Sequence, residues 1–371
     1  MPQAEVRRRR IALVIFRLTP AGGLEQHCLR LGALLRERGC DVTVITTRPS
    51  PATDLAVEVL PARGRTNHGR LAAFAADAAR AVSGRFDGSV AFHAIPGFHV
   101  IFCADPSRGR PPWPKRWLPR YATYARLERA AFGPERLGRA LLLASAQLEG
   151  FVANGAPRER LTLLAPTVDR GRVAAGTGPN RAAARTELEL ADAGAVWLWI
   201  GLQPNTKGLD RALQALAAFP DARLLVCGFD AASRAASGVK RRAERLGVWP
   251  QVSLLGFQGS AGLARAMAAA DVLVHPARAD VTGGVILEAM ANGVPVITTA
   301  VCGFGEHVVA AGAGVVLDEP FRAEALVGAL RGATPEVLAR WSAAARRYAG
   351  DPALYSGLDR AADIVLASLP A

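Results

Sequence analysis

The stretch 271-DVLVHPARADVTGGVILEAMANGVPVITTAVCGFGEHV-308 decides the fold. Val272 to Val274 is a short apolar run bounded by polar and turn-forming residues, which reads as a buried strand. A loop follows and ends in Thr282-Gly283-Gly284. The next segment predicts a helix that starts near Gly284 and stops at Asn292-Gly293, an ordinary C-terminal signal. Pro295 then opens a second apolar strand, Val296 to Thr298. Strand, loop, helix and strand in this order form a unit of a parallel sheet. Two carboxylates stand in it, Asp280 before the helix and Glu288 inside it. Gly283 and Gly284 lie between them, where backbone N–H groups at a helix N-terminus favour an anion. A phosphate-bearing ligand with hydroxyls at both ends suits such a site.

The same rhythm extends upstream. Val196 to Ile200, Leu224 to Val226 and Val252 to Leu254 read as further strands with helices between them. The loop 201-GLQPNTKGLD-210 joins the first of these to its helix and carries Lys207. A lone lysine at a helix start is usually solvated and inert, but with the glycines and two carboxylates it can neutralise a diphosphate. The first half of the chain opens in the same way. Ile11 to Phe16 is a strand, Gly22-Gly23 a turn, 24–38 a helix, and Val42 to Thr46 the next strand. The turn lacks the G-x-G-x-x-G dinucleotide fingerprint, so a nicotinamide enzyme is disfavoured. Gly22-Gly23 reads equally as a plain turn or as a place where amides meet a phosphate. Val57 to Leu60, Ser89 to Phe92, Leu141 to Ala144 and Leu161 to Leu164 supply more strands. His93 follows one of them at its C-terminal end, where ligands of open α/β sheets bind, although a histidine capping a loop looks the same.

These patterns predict an α/β protein with two doubly wound, Rossmann-like parallel-sheet domains facing a cleft. Residues 1–165 form the first domain, 166–350 the second, and 351–371 a C-terminal helix that packs back on the first. The Gly- and Pro-rich stretch 165–181 is the expected linker.

The chain has 371 residues and a formal net charge of +13, which favours anionic partners: nucleic acid, an anionic membrane, phosphorylated glycolipid or nucleotide. Its five cysteines are scattered without a CxxC pair, so neither a zinc nor a disulfide framework is expected. They read as reduced core residues of a cytoplasmic protein. The run after Arg7-Arg8-Arg9-Arg10 is too short for a secretory signal, and no other run spans a bilayer. Residues 105–132 interleave Arg108, Arg110, Lys115, Arg116, Arg120, Arg126 and Arg129 with Trp113, Trp117, Tyr121, Tyr124 and Phe132. Prolines allow a helix only from about Pro119. Such a segment suits an anionic membrane surface, stacking on single-stranded nucleic acid, or a helix that buries Tyr124, Leu127 and Phe132 beneath a solvated basic face. No phosphate loop, Asp-x-Asp pair, zinc-protease motif or nucleophile elbow occurs, so protein donors rather than a metal are expected to stabilise a departing phosphate.

The Asp280…Glu288 spacing, Lys207-Gly208, Gly22-Gly23 and 288-EAMANGVPVITT-299 resemble retaining nucleotide-sugar glycosyltransferases of the GT-B architecture. The stretches AGGLEQ, RTNHGR, IPGFHV, RYATYARLERAAF and TTAVCGFGEHV narrow the resemblance to bacterial lipopolysaccharide core glucosyltransferases, over nearly the whole chain. That resemblance implies transfer of a hexose, glucose first, from a UDP-sugar to an inner-core heptose, with retention of configuration and no metal or other cofactor. It implies that Glu288 binds the UDP ribose. Lys207, Arg172 and the amides of Gly22 and Gly23 hold the diphosphate. Asp280 binds hydroxyls of the transferred sugar, and His93 and Asp105 line the acceptor side. It also implies a protein on the inner face of the cytoplasmic membrane, attached through residues 105–132, and no nucleic-acid partner. This chain departs from the family pattern at Asp280, where a longer Glu is usual, and at Thr206, where Arg is usual. Two other functions are weighed: a UDP-sugar epimerase on the same plan, and a basic nucleic-acid-binding protein.

Overall fold

A computed structural model describes residues 7–19, 22–49, 53–109, 113–114, 117–133, 138–173 and 180–369. In chain order the elements begin β1 (Arg10–Val14), α1 (Gly23–Glu37), β2 (Asp41–Thr46), β3 (Ala56–Val59), α2 (Asn67–Val82), β4 (Gly88–Ala91), β5 (Val100–Cys103), α3 (Pro119–Phe132), β6 (Arg139–Leu142), α4 (Ser145–Ala153) and β7 (Leu161–Leu163). They continue with α5 (Arg181–Glu187), β8 (Val196–Ile200), α6 (Leu209–Leu216), β9 (Arg223–Cys227), α7 (Arg234–Arg245), β10 (Val252–Gly256), α8 (Ser260–Ala269), β11 (Val272–His275) and α9 (Gly284–Ala291). The last are β12 (Val296–Thr299), α10 (Gly305–Ala311), β13 (Gly314–Leu317), α11 (Ala323–Gly332), α12 (Pro335–Ala349) and α13 (Gly357–Ala367). The chain divides into two compact units, residues 1–167 with 356–371, and residues 168–355.

In the first unit the described strands form one parallel sheet in the order β3-β2-β1-β4-β5-β6-β7. Successive side chains of a strand point to opposite faces, and here both faces are covered, so β1 is apolar throughout its interior. Ile11 and Leu13 pack with Leu31 and Leu35 of α1 and with Leu358 and Val365 of α13. Ala12 and Val14 pack on the other face with Phe74 and Ala78 of α2 and Leu127 of α3. The C-terminal segment is a 3-10 turn, Pro352–Tyr355, and then the separate helix α13. At that break Gly357 donates its N–H to the Pro166 carbonyl at 3.1 Å, and a Cβ there would run into the Ala165 carbonyl. Arg38, the C-cap of α1, pairs with Asp363 and Asp359 of α13 at 2.5 and 3.4 Å.

The second unit holds a six-stranded parallel sheet in the order β10-β9-β8-β11-β12-β13. The run VWLWI of β8 sends Val196, Leu198 and Ile200 to one buried face and Trp197 and Trp199 to the other. Ile286, Leu287 and Met290 anchor α9 on the first of these faces.

Two strands, β5 and β13, have no counterpart in the sequence reading. Both are four residues long and follow a glycine, Gly97 and Gly312. Gly314 explains the second: its φ is +155°, and a Cβ would collide with the Val296 carbonyl of the neighbouring strand. That glycine serves close strand approach rather than a turn. The cysteines are all free and buried, and burial pushes the Cys227 thiol up to about 12.

Candidate functional site

Each sheet reverses its strand order once, between β8 and β11 in the second unit and between β1 and β4 in the first. The C-terminal ends of strands at such a reversal leave an open crevice, where ligands of α/β sheets bind. In the second unit, the loop after β8 brings Lys207 to that crevice, and the loop after β11 brings Asp280. Thr206 accepts hydrogen bonds from the Arg278 and Ala279 amides at 2.8 and 3.4 Å, which ties the two loops together. Gly208 caps α6 in the left-handed conformation, φ +71°, and a Cβ would strike the Pro276 carbonyl. No other residue allows the Lys207 loop to lie this close to the end of β11.

Asp280 is the hub. Its Oδ2 is 2.8 Å from Lys207 Nζ and 2.9 Å from His275 Nε2, and its Oδ1 accepts from the Gly283 amide at 2.9 Å. Burial alone would raise its pKa, but the bond from His275 and the charge of Lys207 outweigh that and lower it to about 2. His275 is the converse. Burial alone would lower its pKa, but Asp280 and Cys302 hold the proton and raise it to about 9. Both shifts favour the ion pair, and His275 Nδ1 is buried without a hydrogen-bond partner among the described residues. Cys302 completes a cluster in which a nitrogen of His275, an oxygen of Asp280 and the Cys302 sulfur all lie within 4.8 Å of one another. The backbones of Asp280 and Cys302 form an isolated parallel bridge, and Phe304 N–H donates to the Thr282 carbonyl at 2.6 Å. The loop after β12 thereby clamps the carboxylate loop.

Gly283, with φ +74°, is the N-cap of α9, and Gly284 is its first residue. No side chain at the cap position covers the first turn, which leaves backbone donors there for a ligand. Glu288 stands one turn further on, 9 % exposed. Lys207, Asp280, Gly283, Gly284 and Glu288 thus belong to one locality. Arg172 lies in a short 3-10 turn, Arg170–Arg172, and its side chain is outside the described residues.

In the first unit Gly22 is the N-cap of α1 and Gly23 its first residue. Space around Gly23 is open, but the Glu25 carboxylate packs over Gly22 and accepts from Thr19 Oγ1 at 3.0 Å. An anion drawn to these amides must compete with Glu25. His93 follows β4, and Asp105 follows β5. His93 Nδ1 is 3.9 Å from Asp105 Oδ2, an electrostatic contact too long for a hydrogen bond. Burial pushes the Asp105 carboxyl up, yet His93 and Arg108 together hold it below its ordinary value. His93 Nε2 is buried and meets no hydrogen-bond partner among the described residues. The loop that carries Asp105 is held by buried Glu128 of α3, which accepts from Ser107 Oγ and the Arg108 amide, each at 2.6 Å. Arg108 in turn lies 4.5 Å over the Tyr124 ring.

Helix α3 starts at Pro119 and buries Leu127 and Phe132, while Tyr124 is only half-buried. Ahead of it, Trp113 and Trp117 are 73 % and 71 % exposed. Arg110, Pro111, Pro112, Lys115 and Arg116 lie outside the described residues. Sequence reasoning passed over His275, Cys302, Glu25 and Glu128. Only His275 carried a usable signal, a histidine at the C-terminal end of a buried strand; Cys302 and Glu128 meet partners from distant elements, and Glu25 covers its own neighbour Gly22 through the rotamer of one flexible carboxylate.

The family model "Glycosyl transferases group 1" matches residues 180–347. The lipopolysaccharide glucosyltransferase WaaG of Escherichia coli (strain K12) is 32% identical over 376 residues, 97% of this chain and 99% of that protein. A crystal structure of WaaG, a glycosyltransferase involved in lipopolysaccharide biosynthesis, superposes with a TM-score of 0.89 at 31% identity, covering 96% of this chain and 99% of that one. Anabaena HepE, solved with UDP and glucose, superposes with a TM-score of 0.77 at 18% identity over 98% of this chain and all of that one, a likeness of fold alone.

Proposed function

This chain belongs to the lipopolysaccharide glucosyltransferase family of the GT-B fold, and on that premise we propose that it moves a hexose, glucose first, from a UDP-sugar to a heptose of the lipopolysaccharide inner core. The observation that carries this reading is similarity to a lipopolysaccharide glucosyltransferase along 97% of the chain. The local chemistry agrees. An ammonium has three donors; Lys207 directs one at Asp280 and a second at the Ala279 carbonyl, 3.4 Å away, which leaves a third for a diphosphate oxygen. A carboxylate has about four acceptor positions. Asp280 uses three, and the fourth can accept from a hydroxyl of the transferred sugar. Glu288 binds the ribose. Arg172, in the same unit, shares the diphosphate charge with Lys207.

In the transfer, the acceptor oxygen forms a bond to the anomeric carbon on the face from which UDP departs. The bond from that carbon to the diphosphate oxygen breaks, and the acceptor proton passes to the leaving phosphate. Lys207 stabilises the charge that develops there, so no metal is required. His93 and Asp105 line the acceptor side, and the more exposed Asp105 carboxylate accepts from the acceptor hydroxyl. Trp113 and Trp117 are exposed, and they belong to a stretch of sequence rich in Arg and Lys; both features support attachment to an anionic membrane surface at the cytoplasmic face. Among the described residues no helix is long and apolar enough to cross a membrane.

The test is UDP release from UDP-glucose by the purified protein, with EDTA present, with and without a heptosylated core acceptor. Release that requires the acceptor supports the proposal. An epimerised sugar nucleotide formed without acceptor supports the epimerase instead. Steeply salt-dependent binding to RNA or DNA with no turnover supports a nucleic-acid-binding protein.

A further inference from the structure

Beneath the proposed donor site lies a histidine to which neither the motif spacing nor the resemblance gives a role. His275 ends β11, is 1 % exposed, and places Nε2 2.9 Å from Asp280 Oδ2. Lys207 Nζ reaches the same oxygen at 2.8 Å from the other loop. A carboxylate on a short side chain can rotate about two bonds. Here two cations fix one oxygen and the Gly283 amide fixes the other, which removes that freedom. Of the two side-chain partners only His275 is buried, rooted in the sheet, and so it has the lesser freedom. The Thr298 hydroxyl donates to its carbonyl at 3.0 Å, a bond that ties its backbone to the neighbouring strand.

We propose that His275 is a positioning residue for glycosyl transfer: its Nε2–H holds the Asp280 carboxylate in register with the sugar, and through that carboxylate it holds the Lys207 ammonium in register with the diphosphate. The proposal rests on Asp280 and Lys207 being donor contacts, as above. The raised pKa of His275 agrees, because an imidazolium donates more strongly than a neutral ring. Burial keeps water from replacing the bond.

The experiment compares wild type, His275→Leu, which removes the donor, and His275→Gln, whose amide nitrogen can reach the Nε2 position. Thermal unfolding, UDP affinity by calorimetry, and kcat and KM for UDP-glucose are measured on each. The expected result for His275→Leu is a fall in kcat of about 10²-fold with UDP affinity held within about threefold, and recovery of at least about tenfold in His275→Gln. In an Asp280→Ala background the same change should have no further effect on kcat. Equal kcat in wild type and His275→Leu overturns the proposal, as does an equal loss in the leucine and glutamine variants when both fold. If His275→Leu does not fold, ¹⁵N NMR of the wild-type imidazole decides. UDP-glucose should move the His275 Nε2 resonance and UDP alone should not, and an unmoved signal overturns the proposal. Stoichiometric zinc binding that is lost in Cys302→Ser also overturns it, since His275 would then be a ligand in the His275–Asp280–Cys302 cluster. If the wild type binds neither UDP nor UDP-glucose, the donor reading itself fails, a distinct result.

Discussion

Asp280 in the second unit and Asp105 in the first each stand beyond the C-terminal end of a parallel strand, each beside a histidine. They are built differently. The Asp280 side chain is 11% exposed and is gripped at 2.8 and 2.9 Å by two cations and at 2.9 Å by an amide. The Asp105 side chain is 39% exposed, with its histidine 3.9 Å away and Arg108 at 3.4 Å. The first arrangement is finished before any ligand arrives, and the second has slack. A nucleotide sugar is a small ligand of fixed geometry and rewards a rigid site. A glycolipid acceptor is large and variable, and in its proposed acceptor role the looser Asp105 dyad can adjust to it.

The sharpest way to break this contrast is Lys207→Ala. If the second unit's network is the catalytic one, kcat/KM should fall by about 10³-fold with the fold intact, read by UDP release and circular dichroism. Unchanged turnover would remove Lys207 from the mechanism. Next in size is a stability comparison by urea unfolding. Asp280→Asn should cost about 3 kcal/mol, since it leaves two cations without their shared anion, and Asp105→Asn less than about 1 kcal/mol. Equal costs would erase the distinction between a tight and a loose carboxylate.

Acidity sharpens it further. His275 rises from an ordinary 6.5 to about 9 on folding, so its stabilisation is complete below 6.5 and disappears as pH rises through about 9. Asp280 falls from 3.8 to about 2, so its share is complete above 3.8 and lost as pH falls through about 2. The gap in Tm between wild type and His275→Gln should therefore be widest near pH 6 and shrink towards pH 9 and above. A gap independent of pH would mean the imidazole is neutral in the fold. The smallest effect concerns the first unit's exposed aromatics. Trp113→Ala with Trp117→Ala should lower partitioning onto anionic vesicles by about tenfold and leave kcat on a soluble acceptor fragment unchanged.

Much of this was legible in the chain. β8 and β11 were visible because parallel strands buried on both faces are continuous apolar runs, and the start of α9 because two glycines and a terminal Asn-Gly frame it. Lys207, Asp280 and Glu288 could be named from spacing and resemblance. β5 and β13 could not: they are no shorter than β11, but the glycines ahead of them, Gly97 and Gly312, look like turns. Nor could the shielding of Gly22 by Glu25 be read, since it depends on where one flexible carboxylate settles.

The sequence alone determined the alternation of strands and helices that makes two parallel sheets, the basic charge of the chain, and the residue types proposed to meet a diphosphate sugar. Those follow from local periodicity and composition, which act over a few residues. Only the tertiary structure decided that Asp280 is held from three sides. His275, Lys207 and Gly283 reach one carboxylate because strand reversal between β8 and β11 brings their loops together, and a glycine at 208 removes the side chain that would keep them apart. Distances between loops are set by packing of the sheet beneath them, and that information is spread over the whole core.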